Sequence, residues 1–257
     1  MEATAKKTLG FGERLASMLR VDIRRMLTTP LVYIMTGVSL ALPILILVMT
    51  SALGGDAGAS TDMFSNVWQM IGSVSGSAMG TDIASMCNIN MLYFLIAVTV
   101  CLFVGDDFKS GYAKNLFTVR SKKTDYVVSK SIVCFACAAV MLLAYFVGAM
   151  IGGAIAGLPF ATEIGAGGIV ACLFSKIFIA AVFTAVALLL SVVAKQKRLL
   201  SILGSFAAGM LLFTVIPMIA PLDAGILNVI MCFAGGGLFA VGLGAASTVV
   251  LDKTNIV

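Results

Sequence analysis

The chain has 257 residues, of which 60% are hydrophobic and 11% are charged, with a net charge of +5. Its mean hydropathy of +1.09 excludes an ordinary soluble domain and indicates an integral membrane protein. The absence of histidine also excludes serine–histidine hydrolases and histidine-ligated metal or haem sites.

The first predicted element is an amphipathic helix at residues 8–28. Apolar side chains recur there at helical spacing: Phe11, Leu15, Met18, Leu19, Ile23 and Met26. Arginines occupy the other positions, so we interpret the segment as an interfacial helix, with its apolar side in the lipid and its arginines among the headgroups. The alternative is a soluble helix that packs on the connecting loops.

Six apolar runs follow, and most of them reach the roughly 20 residues that a helix needs to cross a membrane. The spans are predicted at about 31–53, 83–105, 131–157, 168–194, 199–220 and 224–250. The third span ends where Gly157 and Pro159 interrupt the helix. The predicted fold class is therefore an all-α integral membrane protein, with a single transmembrane domain over residues 1–257.

The connection between the first two spans, residues 54–82, contains the only tryptophan of the chain, Trp68. Apolar side chains around it favour a short helix, and an amphipathic indole ring is favoured at the outer membrane interface. We interpret Trp68 as an anchor there, with a role in substrate binding as the alternative.

Positive charge is concentrated in every second connection. All lysines and arginines except Lys176 and Lys253 lie in residues 1–30, 106–130 and 195–198, and the intervening connections carry only acidic charges. Because cytoplasmic loops accumulate Lys and Arg, both termini and the 106–130 connection are predicted to face the cytoplasm of a cell membrane. Anionic lipid accounts for the positive balance, so no nucleic-acid partner is predicted.

Polar residues within the spans are the candidates for a translocation path. Lys176 lies in the fourth span, where it could contact a substrate carboxylate or extend outward toward Glu163. Asn88 and Asn90 begin the second span, with interhelical hydrogen bonding as the alternative role. The chain has no G-x-x-x-x-G-K-[ST] motif, so the energy for active transport would come from another chain.

The connection between the second and third spans is unusually polar. Asp106 and Asp107 are predicted to begin a short helix, where carboxylates favour the positive end of the helix dipole. Apolar residues including Phe108 and Tyr112 would line one side of it, and Lys130 would re-enter the bilayer at the level of the phosphates.

This connection resembles the loop between the second and third spans of type-2 ABC-transporter permeases. The shared pattern is F-x-G-D-D-x-x-x-G-x-x-K-N-L from Phe103 to Leu116, followed by Arg120, Tyr126 and Ser129-Lys130. The chain length, the N-terminal helix and the six spans are similar as well. The resemblance implies that residues 106–126 contain a coupling helix that docks in a groove of a separate cytosolic ATPase.

The resemblance also implies roles for individual residues. Docking would be carried by Asp107, Phe108, Tyr112, Lys114, Leu116 and Phe117. Arg120 and Lys130 would hold the loop at the headgroups.

By this resemblance, the chain is expected to be the permease subunit of an ATP-driven exporter for a hydrophobic or amphipathic substrate, in particular a peptide. No catalytic residue, metal or cofactor is expected in this chain, because ATP and Mg²⁺ would bind to the partner ATPase, and a second permease, a copy or a relative, would complete the transporter. The alternatives are a non-transporting membrane anchor or assembly protein that recruits a cytosolic partner, and a component of an uptake system.

Overall fold

The computed structural model describes residues 10–54, 64, 66–72, 87–119, 122–161, 165–195, 197–219 and 225–253. Their regular structure is helical throughout. The α-helices are α1 (Phe11–Thr28), α2 (Pro30–Gly54), α3 (Leu92–Lys109), α4 (Tyr112–Val119), α5 (Lys123–Ala156), α6 (Gly165–Ala194), α7 (Arg198–Ile219) and α8 (Ile226–Lys253). Two 3₁₀ helices, Val67–Ile71 and Ile89–Met91, precede α3.

Six helices in the described part of the chain are long and apolar enough to cross a membrane, namely α2, α3 with the 3₁₀ turn before it, α5, α6, α7 and α8. This confirms the all-α class and the number of predicted spans. The helix α1 occupies the place predicted for the amphipathic segment, with residues 8 and 9 outside the described residues.

The helix boundaries of the second and third spans differ from the sequence-based prediction, and the helical structure of the second span begins at Ile89 instead of 83. The second span continues to Lys109 instead of ending at 105, and the third begins at Lys123 instead of 131. The charged residues in these extensions suggested a loop, but Asp107, Asp125 and Lys130 are buried in ion pairs, so the helices continue through them. With 34 residues, α5 is about 50 Å long, so part of it extends beyond a hydrocarbon layer of about 30 Å.

The predicted end of the third span is confirmed. Gly157 follows α5 in the left-handed conformation, with φ of 71°, and its backbone N–H bonds to the carbonyl of Gly153. A residue with a side chain is strained in this conformation, and Pro159 cannot continue the helix.

Glycines allow the peripheral helices to approach the bundle closely. A Cβ atom on Gly152 of α5 would lie 2.8 Å from the Cα of Ile44 in α2, and one on Gly236 of α8 would lie 2.5 Å from the carbonyl oxygen of Phe178 in α6. Gly152 and Gly236 therefore allow close helix contacts within this chain.

The 3₁₀ helix Val67–Ile71 packs at the end of the bundle where α5 ends. The Trp68 side chain is only 7% exposed, and its indole N–H donates to the carbonyl of Phe160 at 2.8 Å. The prediction that Trp68 sits in the lipid interface is wrong, because the ring has enough apolar contacts and a hydrogen-bond acceptor within the protein.

Candidate functional site

Four charged side chains meet where α1, α3 and α5 pack together. We call Asp22, Arg25, Asp107 and Lys130 the buried charge cluster. The Lys130 ammonium lies 2.8 Å from Asp22 Oδ1 and 2.8 Å from Asp107 Oδ2, and Arg25 Nη1 lies 2.7 Å from Asp107 Oδ1. The side chains of both aspartates and of Lys130 are 0% exposed. Two acids and two bases give a neutral cluster, and such pairing is what makes the burial of charges tolerable.

Hydroxyl groups complete the cluster. Tyr126 donates to Asp107 Oδ2 at 2.9 Å, and Ser129 donates to Asp22 Oδ2 at 2.6 Å. All four carboxylate oxygens therefore have a partner, as buried polar atoms require. The Phe103 ring centroid lies 4.1 Å from the Lys130 ammonium, which adds a favourable cation–π contact.

Arg25 lies at the edge of the cluster and is partly exposed. Burial lowers the pKa of Arg25, but the neighbouring Asp107 carboxylate, which also accepts its hydrogen bond, outweighs that effect. The pKa of the guanidinium is therefore raised above its ordinary value, and Arg25 stays charged.

The predicted position of Asp106 and Asp107 is wrong. Both lie in the last turn of α3, at the negative end of its dipole, instead of at the start of a new helix. This position is unfavourable for carboxylates, and nearby cations compensate: Arg25 and Lys130 pair with Asp107, and Arg198 at the start of α7 pairs with Asp106.

The short helix α4 follows after a sharp turn. Gly111 makes this turn with φ of 73°, which favours glycine. The apolar side of α4 then packs inward: Tyr112 lies under the Arg25 guanidinium at 3.9 Å from its ring centroid, and the Phe117 and Tyr126 rings meet edge-to-face with centroids 5.4 Å apart. The helix is therefore attached to both α1 and α5.

The residues predicted to dock a partner divide into three groups by exposure. Asp107 and Phe108 are buried, so a partner could not contact their side chains in this conformation. Tyr112, Leu116 and Phe117 are half-buried against the bundle. Lys114 is exposed and, together with Asn115 and Thr118, forms the outward side of α4. Asp107 and Phe108 belong to the end of α3, where they contact Arg25, Tyr126 and Lys130 of their own chain.

Lys130 and Arg120 were predicted to hold the loop at the headgroups. Lys130 does not reach the headgroups, because its ammonium is fully enclosed by two aspartates. Arg120 lies outside the described residues.

The contribution of α1 to this site was not predicted from the sequence. The sequence did contain a signal for a buried carboxylate. Asp22 lies four residues from each of Met18 and Met26, on the side of α1 that the structure buries. A carboxylate within an apolar stripe indicates a buried cation elsewhere in the fold. A second pair, Arg14 with Asp125 of α5 at 2.8 Å, also attaches α1 to the bundle.

The three polar residues predicted within the spans lie together. Lys176 is buried, and its ammonium donates to Asn90 Oδ1 at 2.8 Å. Asn88 caps the 3₁₀ turn by accepting from the backbone N–H of Asn90 at 2.9 Å, and the Tyr93 hydroxyl donates to the carbonyl of Lys176 at 3.1 Å. Lys176 therefore connects α6 to the start of α3 and does not extend outward.

An apolar groove lies between α5, α6 and α8 within the spans. Its volume is about 240 Å³, and its walls include Phe135, Phe178 and Phe233. Among the described residues, no cluster of His, Cys, Asp or Glu could hold a metal ion.

The chain matches a known family of proteins. The sequence profile described as "ABC-2 family transporter protein" matches residues 28–212, from the end of α1 into α7. The matched segment includes α4 and the parts of the buried charge cluster on α3 and α5. No curated protein matches the chain.

Proposed function

Because the chain belongs to the ABC-2 family of transporter proteins, we propose that it is the membrane-spanning permease subunit of an ATP-driven exporter, powered by a separate cytosolic ATPase. The chain is a multi-pass membrane protein, and the family is a transport component of ABC systems. The lysines and arginines of residues 1–30 and 106–130 support a cytoplasmic position for α4 and both termini in the cell membrane.

The observation that carries the proposal is the attachment of α4 to the membrane helices. Its inward side is fixed by the contact of Tyr112 with Arg25 of the buried charge cluster and by the Phe117–Tyr126 contact, while Lys114 on its other side is exposed. Removing one member of a buried ion pair costs about 3–5 kcal/mol, so the cluster resists separation of the helices it joins. A push on α4 would therefore move α3, α5 and α1 together as a rigid body.

The docking residues then have different roles. Lys114 would contact the ATPase directly, and Tyr112, Leu116 and Phe117 would hold α4 in its orientation and add contacts at the edge. Asp107 and Phe108 would act only by fixing α4 to the bundle. Arg120, which follows α4, remains a proposed headgroup contact that holds the loop at the membrane surface. ATP and Mg²⁺ would bind to the ATPase.

We further propose a hydrophobic or amphipathic substrate, such as a peptide, and a second permease that is a copy or a relative of this chain. The phenylalanine-lined groove between α5, α6 and α8 supports a substrate of this kind, since apolar walls with few polar groups suit apolar ligands. Lys176, Asn88 and Asn90 are the proposed polar part of the path, which would require the Lys176–Asn90 contact to open during transport.

The docking proposal is tested by reversing one charge on the outward side of α4. We expect Lys114→Glu to weaken ATPase binding and to lower permease-stimulated ATP hydrolysis at least tenfold. A like-charge contact with an acidic surface of the ATPase costs several kcal/mol, and about 1.4 kcal/mol corresponds to a factor of ten. Lys253→Glu, at the exposed end of α8, is the matched control and should change neither. Binding is measured by co-purification of the candidate ATPase with the permease, and ATP hydrolysis is measured with the permease in nanodiscs.

Equal effects of Lys114→Glu and Lys253→Glu would contradict docking through α4. Transport in vesicles separates the remaining alternatives. An ATPase that binds without ATP-dependent movement of substrate would indicate a recruiting anchor, and inward flux would indicate an uptake component.

A further inference from the structure

A second apolar groove lies between α1, α2 and α5. On α1 it is lined by Leu19, Ile23, Met26 and Leu27, which share one side of the helix. On α5 it runs from Ile132 to Val140, about 12 Å along the helix axis. All its lining residues are apolar, and its volume is about 260 Å³.

The groove is open along one side. Ile23, Leu27 and Val140 are 43%, 56% and 52% exposed. The helix α1 cannot fold over to close it, because the Asp22–Lys130 and Arg14–Asp125 pairs already fix α1 to α5 beside the groove. An open apolar groove of fixed width requires an apolar occupant.

Two arginines border the groove. Arg20 and Arg24 directly follow Leu19 and Ile23, so each lies about 100° further around α1 than a groove residue. Being four residues apart, they form a row along the same edge. Both are exposed, and neither forms an ion pair with any residue that the structure describes.

This arrangement differs from that of the other arginines on α1. Arg14 and Arg25 each pair with an aspartate of the bundle. The two unpaired arginines therefore leave a positive edge beside an apolar groove, which is the complement of an anionic amphiphile. Guanidinium groups bind phosphate in bidentate fashion, and a lipid supplies both the phosphate and the apolar chain.

We propose that this groove binds one anionic phospholipid, with an acyl chain between α1 and α5 and its phosphate at Arg20 and Arg24. The bound lipid fills the space between α1 and the bundle and thereby fixes the helix that carries Asp22 and Arg25. The inference requires α1 to lie at the membrane surface, but it involves neither the ATPase nor the transported substrate.

The test is native mass spectrometry of the full chain in detergent, titrated with dioleoyl phosphatidylglycerol or dioleoyl phosphatidylcholine. We expect the first phosphatidylglycerol to bind more tightly than phosphatidylcholine. Arg20→Gln/Arg24→Gln should weaken phosphatidylglycerol binding about 30-fold, since each basic group at an anionic headgroup contributes about fivefold. Lys122→Gln/Lys253→Gln, two exposed lysines away from the groove, is the control for lost charge and should bind as the original chain does.

A second pair of variants tests the groove without changing charge. Ala136→Phe places a ring in the groove and should weaken phosphatidylglycerol binding, whereas Ala154→Phe, exposed near the other end of α5, should not. Equal affinity for the two lipids, or equal binding by each variant and its control, would overturn the proposal. Since the measurement uses the permease alone, failure of ATPase docking would leave it unaffected.

Discussion

Removal of the Lys130 ammonium tests whether the buried charge cluster holds the structure together. In the buried charge cluster, Lys130→Met would leave two aspartates, Asp22 and Asp107, whose side chains are both 0% exposed, and one cation, Arg25. Removing one partner of a buried, hydrogen-bonded pair costs about 3–5 kcal/mol, so we expect a loss of this size in the free energy of unfolding.

A double variant separates the charge imbalance from lost packing. Asp22→Asn/Lys130→Met restores neutrality, because Asp107 and Arg25 remain paired, and the new amide still offers an oxygen to the Ser129 hydroxyl. We expect the second substitution to recover about 2 kcal/mol of the loss, which a double-mutant cycle reports as coupling between the two sites.

The free energy of unfolding can be measured in mixed micelles by titration with SDS, followed by far-ultraviolet circular dichroism. Lys123→Met is the matched control, because Lys123 lies two turns away on α5 and is 27% exposed beside an exposed Asp252. Lys123→Met should lower the free energy of unfolding by at most about 1 kcal/mol. The interpretation would be refuted if Lys130→Met and Lys123→Met were equally stable, or if the double variant were no more stable than Lys130→Met alone.

Two further predictions concern the membrane helices. Gly152→Ala should lower the free energy of unfolding by about 1–3 kcal/mol, because the added methyl meets the backbone of α2. Gly37→Ala, whose methyl meets no atom within 4 Å, should leave the free energy of unfolding unchanged or raise it by up to about 1 kcal/mol. The same SDS titration compares the two variants, and equal effects would contradict the close packing of α5 on α2. If Lys176 belongs to the substrate path, Lys176→Met should abolish substrate stimulation of ATP hydrolysis in nanodiscs while the ATPase still co-purifies, and unchanged stimulation would remove Lys176 from the path.

Local patterns in the sequence were sufficient for the spans. Apolar run length determines which segments can cross a membrane, and all six predicted spans correspond to helices that could do so. The break after Gly157 was equally local, since it depends on backbone conformation and on the following proline. The amphipathic pattern of residues 8–28 likewise predicted the helix α1.

The placement of charged side chains was decided by the tertiary structure. Asp107 and Lys130 lie next to the predicted ends of two spans, and Asp22 lies on a predicted surface helix. Only the contact of these three residues in space makes their burial favourable. For this reason the helices α3 and α5 extend further than hydropathy indicated, and Lys130 lies inside the protein instead of at the headgroups.

The same distinction explains the candidate docking helix. The sequence predicted an amphipathic helix from Asp106, whereas the structure begins it at Tyr112. Periodicity alone does not tell whether the apolar side of such a helix faces a partner or the chain itself. The fold supplies Arg25 and Tyr126 as neighbours of that side, which leaves Lys114 outside. The sequence by itself therefore determined which segments are helical and apolar, because these properties depend on neighbouring residues. Which charges are buried and which side of α4 is accessible was decided only by the tertiary structure, because both depend on residues that are distant in the chain.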